Sequence, residues 1–222
     1  MAARTLRRVA AGRDDGGTTV SASEPETRIA ALRAEERWSE AATEVLRCYG
    51  RELLEYLVAI ARSEADGADA FSQFTEDLWR GLPRFRGDAS ARTWCYTLAR
   101  HALARVRRQP HRKPGRAIAL TDAPEVAQVA AHVATTTITY LQTRVKDEVA
   151  ALRNELSPDD QAILILRIDR RLSWQDVARA LADEETPLDG DELRRRSATL
   201  RKRFGRIKSD LKRMLEPRLD RK

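Results

Sequence analysis

The sequence predicts an all-α fold made of two small helical domains, and three observations carry that expectation. Apolar residues recur three and four positions apart in several separate segments, no segment shows strand-like alternation of comparable strength, and the hydrophobic pattern stops near Val106 and resumes near Val145. At 222 residues the chain has room for one large domain or two small ones, each able to bury a modest core. The interrupted pattern favours two. The expected organisation is an N-terminal arm over 1–36, a first domain over 37–109, a flexible linker over 110–143, a second domain over 144–216 and a basic tail over 217–222.

The arm contains Gly16-Gly17-Thr18-Thr19 and Ser21-Ala22-Ser23-Glu24-Pro25, too little apolar area to order itself, and is expected to be disordered. From Glu40 a helix begins, with Leu46, Leu53, Leu57 and Ile60 on one stripe and Val45, Leu54 and Ala61 beside it. Asp66-Gly67 is expected to break it. A second helix is predicted from about Ala68 to Gly81, with Phe71, Phe74, Leu78 and Trp79 inward and Asp69, Gln73, Glu76 and Asp77 outward; Pro83 stops it. A third, about Ala91 to Arg108, should bury Trp94 or Cys95 together with Leu98, Ala99, Ala102, Leu103 and Val106. Trp94 is expected in the core rather than against a ligand, and Trp79 and Trp174 more firmly so.

Pro110 and Pro114 bracket a basic turn-rich stretch, and 115–140 shows no clear period beyond a helical stretch around Ala123 to Val133. Val145, Val149, Leu152 and Leu156 then repeat at helical spacing up to Ser157-Pro158. Asp159 or Asp160 is expected to cap the next helix, whose run Ile163-Leu164-Ile165-Leu166-Ile168 is apolar on nearly all sides. Ser173-Trp174-Gln175-Asp176 has the pattern of a capping box opening a short helix to Leu181. After a polar loop, a long helix runs from near Asp191 to about Leu215, with Leu200, Phe204, Ile207, Leu211 and Met214 on one face and Arg195, Lys202, Arg206, Ser209 and Arg213 opposite. A short capped helix, a turn and a longer basic helix make a helix-turn-helix, whose second member enters the DNA major groove.

Charge is segregated. Residues 100–116 contribute +7 and residues 191–222 contribute +8 to a net charge of +7, so the rest of the chain carries −8. Two basic patches on an otherwise acidic protein are expected where two surfaces meet phosphate while the remainder faces something else. Cys48 and Cys95 are too few and too far apart for a disulfide framework or metal site, and both are expected as small buried side chains in a reducing cytosol. His101, His111 and His132 lack partners at metal-ligand spacing. The approximately 18-residue apolar run of a membrane span and the core of a secretory signal are both absent, so a cytoplasmic protein that binds no membrane is expected. No carboxylate pair, activated nucleophile or phosphate-cradling loop appears, which argues against an enzyme and leaves no cofactor to expect.

The stretch with most chemical content is Phe85-Arg86-Gly87-Asp88, followed by Thr93-Trp94-Cys95-Tyr96-Thr97-Leu98-Ala99-Arg100-His101 and then Arg105, Arg107 and Arg108. It sets an aromatic beside a flexible basic turn and leads into a helix with an unbroken run of cations. Ring stacking and phosphate neutralisation are the sequence-tolerant ways to grip a single strand. Asp69 through Trp79, Leu82-Pro83-Arg84 and the stretch Phe85 to Trp94, ungapped, resemble region 2 of the extracytoplasmic-function sigma factors of the sigma-70 family. Leu156 to Arg167, Leu172 to Ala178, and Thr199-Leu200-Arg201-Lys202-Arg203-Phe204-Gly205-Arg206 with Leu211-Lys212 resemble region 4 of the same family.

The resemblance, over about residues 40–216, implies a non-catalytic subunit that brings bacterial core RNA polymerase to promoters. It implies polymerase binding by Asp69, Ser72, Gln73, Glu76 and Asp77, which would dock on the clamp helices of the largest subunit; region 4 would contact the flap. It implies capture of a flipped minus-ten base and melting of the duplex by Phe85, Arg86, Gly87, Asp88, Arg100, His101, Arg105, Arg107 and Arg108. Reading of the minus-thirty-five element falls to Arg195, Thr199, Lys202, Arg203, Arg206, Ser209 and Arg213. Double-stranded and melted promoter DNA are therefore the expected partners beside the polymerase, and an anti-sigma factor is a further partner type the family allows. Ser72 stands where Gln is usual, Thr75 where a large apolar residue is usual, and His101 where Asn is common; Asp183 to Ser197 is inserted before the recognition helix, which has a longer loop or an earlier start. The competing reading, a helix-turn-helix regulator that needs no polymerase, has no use for the Phe85–His101 stretch. A protein-interaction module such as an anti-sigma partner is disfavoured by the two arginine-rich patches.

Overall fold

The computed structural model describes residues 23–108, 122–143, 148–182 and 188–219. These are helical throughout, with no strand among them: α1 Glu24–Ala34, α2 Trp38–Ala61, α3 Glu64–Gly81, α4 Ala91–Arg108, α5 Pro124–Thr143, α6 Glu148–Glu155, α7 Pro158–Leu164, α8 Trp174–Ala180 and α9 Gly190–Leu219. The all-α expectation holds. No helix among the described residues is long and apolar enough to cross a membrane.

Helices α2, α3 and α4 pack on one another around Leu46, Leu53, Leu57, Phe71, Phe74, Leu78, Tyr96 and Ala99, all buried. Helix α2 ends at Arg62, which adopts the left-handed conformation at φ 59°. The Ser63 hydroxyl then accepts the Asp66 amide at 3.1 Å and starts α3 at once. The expected break at Asp66-Gly67 is therefore inside α3. Gly67 is needed for contact: a Cβ there would lie 2.6 Å from Val58 Cγ2 and 2.8 Å from Val58 Cα, so its missing side chain lets α3 lie directly on α2.

The expected disordered arm and flexible linker are both corrected in part. Residues 24–34, assigned to the arm, form α1, because Ile29 is buried against the α2–α4 core and Glu26 and Arg33 reach across to α4 and the turn before it. Residues 124–143, assigned to a flexible linker with a helical stretch around Ala123 to Val133, form one continuous helix α5 that bears out the helical stretch and extends it, lying along α2 with Val126 buried and Val133 3.0 Å from where a Gly50 Cβ would stand. Residues 1–22, the basic stretch 109–121, Val145 and the tail beyond 219 lie outside the described residues; nothing is described of the Val149 side chain.

In the second half, Ser157, not Asp159 or Asp160, caps α7 by accepting the Asp160 amide at 3.1 Å while donating to its carboxylate at 2.7 Å. A π-helical turn over Ile165–Asp169 follows, closed by the Arg170 amide donating to the Ile165 carbonyl. The capping box predicted at Ser173 forms, with the Asp176 amide 3.1 Å from the Ser173 hydroxyl. Leu152, Leu156, Ile163, Leu164, Phe204, Ile207, Leu211 and Leu215 make one apolar cluster. Ala162, Ile165, Leu166, Leu172, Val177 and Ala180 instead join the cluster of α2–α4. The two halves thus share a continuous core across α7, the π turn and α8. Cys95 is buried as expected, in preference to the half-buried Trp94, whereas Cys48 is exposed, contrary to expectation.

Candidate nucleic-acid interface

Helix α4 carries most of the candidate interface, and its start is capped by two side chains. Glu26 of α1 accepts the Ala91 amide at 2.8 Å and the Arg92 amide at 3.0 Å, and the Ser90 hydroxyl accepts the Thr93 amide at 3.0 Å. Three of the four amides that a helix start leaves without intrahelical partners are thus paired, and the carboxylate sits where the helix dipole favours an anion. Sequence reasoning missed Glu26 because its partners are more than sixty positions away.

The turn before α4 has the geometry its residues require. Gly87 has φ 83°, a conformation other residues adopt rarely, and its neighbours Arg86 and Asp88 pair across it at 3.0 Å, both exposed. The Phe85 ring stacks on Trp94, centroids 4.5 Å apart and planes at 13°. Its other face carries the Arg33 guanidinium, 4.4 Å from the ring centre, and Arg33 also donates to the Phe85 carbonyl. The aromatic expected to be available for stacking is therefore covered on both faces. Trp94 itself rests against Gly81, where a Cβ would come within 3.1 Å of the indole.

The cations of α4 divide. Arg107 and Arg108 are exposed, each donating to a carbonyl of the first domain: Arg107 to Ile60 at 2.7 Å and Arg108 to Ala104 at 3.3 Å. Arg105 pairs with Asp77 of α3, which ties one residue expected to meet DNA to one expected to meet polymerase. Arg100 donates to the carbonyls of Leu181 at 3.0 Å and Ala182 at 3.2 Å, and His101 Nε2 lies 3.2 Å from the Ala182 carbonyl. A cleft of roughly 400 Å³ lined by Tyr56, Arg100, His101, Arg107, Arg108 and Asp159 opens beside them.

On α3, Asp69, Ser72, Glu76 and Asp77 are half-buried and share one face. Gln73, expected outward, is buried, and its amide donates to Glu76 and Asp77 at 3.2 Å each, so it braces the carboxylates. Glu76 also pairs with Arg80 at 2.6 Å. Thr75 is buried with its hydroxyl on the Phe71 carbonyl, which accounts for a polar residue at an apolar position.

On α9, Arg195, Thr199, Lys202, Arg206, Ser209 and Arg213 are exposed, while Phe204, Ile207 and Leu211 are buried on the opposite side. Arg203 is the exception. It is half-buried and donates to Asp160 at 2.6 Å, which holds α9 to α7 and removes it from the exposed row. The helix starts at Gly190, where Asp189 accepts the Glu192 amide at 2.7 Å, so the later part of the insertion forms extra helical turns ahead of Thr199. Ser197 donates to the Trp174 carbonyl at 3.2 Å and fixes the crossing of α8 and α9.

Comparison with known proteins matches residues 45–113 to sigma-70 region 2, a span that contains the acidic helix, the Gly87 turn and the cationic helix. The RNA polymerase sigma factor YlaC of Bacillus subtilis (strain 168) is 29% identical over 149 residues, covering 62% of this chain and 78% of that protein. No solved structure matches significantly. The region 2 match falls where turn, acidic face and arginine row come together, and the alignment with a sigma factor extends well beyond it, so the chain is similar to sigma factors of the sigma-70 family in its region 2 and over more than half of its length.

Proposed function

We propose that this chain is a sigma factor of the extracytoplasmic-function type, which directs core RNA polymerase to its promoters by reading an upstream element with the exposed row of α9 and holding a melted minus-ten strand on the Phe85–Asp88 turn and α4. The observation that carries the reading is the shared location of the turn and four α4 cations in the span that matches region 2. Asp69, Ser72, Glu76 and Asp77 would meet the polymerase clamp, Gln73 acting as their brace. Melting needs no catalytic group: extruding a base costs a few kcal/mol, which a tailored pocket and neutralised phosphates recover. The two ring nitrogens of His101 point in different directions, so it cannot present a donor and an acceptor side by side to one base edge as an amide does, and it would shift base preference relative to an Asn.

The test is promoter opening by reconstituted holoenzyme, read by permanganate reactivity of thymines. Phe85→Ala with His101→Ala should leave closed-complex formation on duplex DNA nearly unchanged and abolish opening, with rescue on a template mismatched in the minus-ten region. Circular dichroism of the variant checks that loss of the Phe85–Trp94 stack has not unfolded the domain. Equal reactivity of wild type and variant on fully paired DNA would refute the strand-capture role and favour a plain helix-turn-helix regulator.

A further inference from the structure

Among the described residues, three that are not glycine have a positive φ: Glu36 at 57°, Arg62 at 59° and Arg171 at 57°. A side chain in this left-handed region is strained, because its Cβ crowds the following carbonyl oxygen. Glu36 is an anion on the turn between α1 and α2. Arg62 uses its side chain inside the fold, donating to the Leu156 carbonyl. Arg171 does neither. It is exposed in the bend between the π turn and α8, and its guanidinium meets no acceptor among the described residues. The two other arginines of this segment are pinned: Arg167 donates to the Leu172 carbonyl at 2.8 Å and lies 5.0 Å from the centre of the Trp174 ring, and Arg170 is 2.8 Å from Glu55. The carboxylates nearest in sequence are taken as well, Asp169 by Arg153 at 2.6 Å and Asp176 by the Ser173 hydroxyl at 2.6 Å and Arg179 at 3.6 Å. The bend is fixed on both sides by backbone bonds, Arg170 amide to Ile165 carbonyl and Leu172 amide to Leu166 carbonyl, each at 3.0 Å. The fold therefore needs this backbone conformation, which glycine would adopt without strain, and makes no use of the Arg171 side chain.

We propose that Arg171 anchors a backbone phosphate of the upstream duplex, outside the row of α9 that reads it. The proposal rests on the helix-turn-helix reading of α8 and α9. In such a motif the second helix enters the major groove and the first crosses the sugar-phosphate backbone. Arg171 lies two positions ahead of Ser173, the cap of α8, which puts its guanidinium where that first helix meets the backbone. The bend and the reading row are held in one frame: Ser197 of α9 donates to the Trp174 carbonyl at 3.2 Å, and the Trp174 ring packs on Phe204 with centroids 5.4 Å apart. A guanidinium with no carboxylate to leave brings its whole charge to a phosphate, which it can grip through two parallel N–H donors. Such a contact sets the register of the protein on the duplex and carries no sequence information.

Arg171→Gly tests this by removing the side chain while easing the bend. The thermal midpoint of the full-length chain should stay level or rise; a fall would show that the side chain holds the fold and overturns the proposal. Closed complexes of reconstituted holoenzyme on a duplex promoter should form more weakly, with the salt slope lower by about 0.9. The deficit should therefore shrink roughly threefold between about 50 and 200 mM salt. A mixed-sequence duplex should show the same loss of slope, and Arg171→Lys should restore most of the affinity. Wild-type affinity and salt slope in the Arg171→Gly holoenzyme overturn the anchor, as does a loss confined to one upstream sequence, which would make Arg171 a base reader. Lys202→Ala, measured alongside, keeps the anchor apart from the reading it rests on. If Lys202→Ala weakens binding and Arg171→Gly does not, the α9 row reads DNA and the anchor alone fails. If neither weakens it, the placement of α8 and α9 on the upstream duplex fails with it.

Discussion

Glu26 Oε2 accepts the backbone amide of Ala91 at 2.8 Å, across 65 positions of sequence, and its other oxygen takes the Arg92 amide and the Tyr49 hydroxyl. One carboxylate thus ties α1 to α2 and to the start of α4. Losing an N-terminal cap of this kind costs about 0.5–2 kcal/mol. Glu26→Ala should therefore lower the thermal midpoint by roughly 2–4 °C for each kcal/mol in a chain of this size. An unchanged melting curve would mean that α1 does not hold α4.

Gly67→Ala should destabilise the chain, although alanine is the better helix former by about 1 kcal/mol. The added Cβ would meet Val58 backbone atoms at 2.8 and 2.9 Å, and overpacking of this type costs roughly 1–3 kcal/mol. The urea midpoint should fall with the slope unchanged.

Arg203 and its exposed neighbours should separate cleanly. Arg203→Ala breaks the pair with Asp160 and should reduce stability. Lys202→Ala and Arg206→Ala should leave the melting curve alone and weaken binding to the upstream element. A lost phosphate contact lowers the salt slope by about 0.9, whereas a lost base contact costs roughly 1–3 kcal/mol at one position. Wild-type affinity in both would move the reading face toward the N-terminal turns of α9, at Arg194 and Arg195.

Reversal of Asp69 and Glu76 to Lys should reduce co-purification with core polymerase at physiological salt, because charge complementarity steers and registers such surfaces. Undiminished capture would place the docking face elsewhere.

The two thiols should react at very different rates. Cys48 is exposed and should be alkylated in the native chain. Cys95 is buried, and burial pushes its thiol well above the ordinary cysteine range, which keeps the reactive thiolate scarce. Mass spectrometry after brief maleimide treatment should find one adduct in the folded chain and two after denaturation.

Periodicity and capping chemistry were enough to place α4, α8 and α9 and to put Lys202 and Arg206 opposite Phe204 and Ile207, because these are local properties written within one or two helical turns. The Gly87 turn was legible for the same reason, since its φ demands glycine. Tertiary structure alone decided the rest. Helix α1 has only two large apolar side chains, Ile29 and Leu32, and orders through the partners that Ile29, Glu26 and Arg33 find on α2, α4 and the turn before α4. Gln73 and Arg203 look like surface residues in sequence and become braces because Glu76, Asp77 and Asp160 are brought within reach. The closing of α8 over Arg100 and His101 joins segments about eighty residues apart. Such contacts carry no periodic signal, because a backbone carbonyl accepts a hydrogen bond whatever side chain its residue bears.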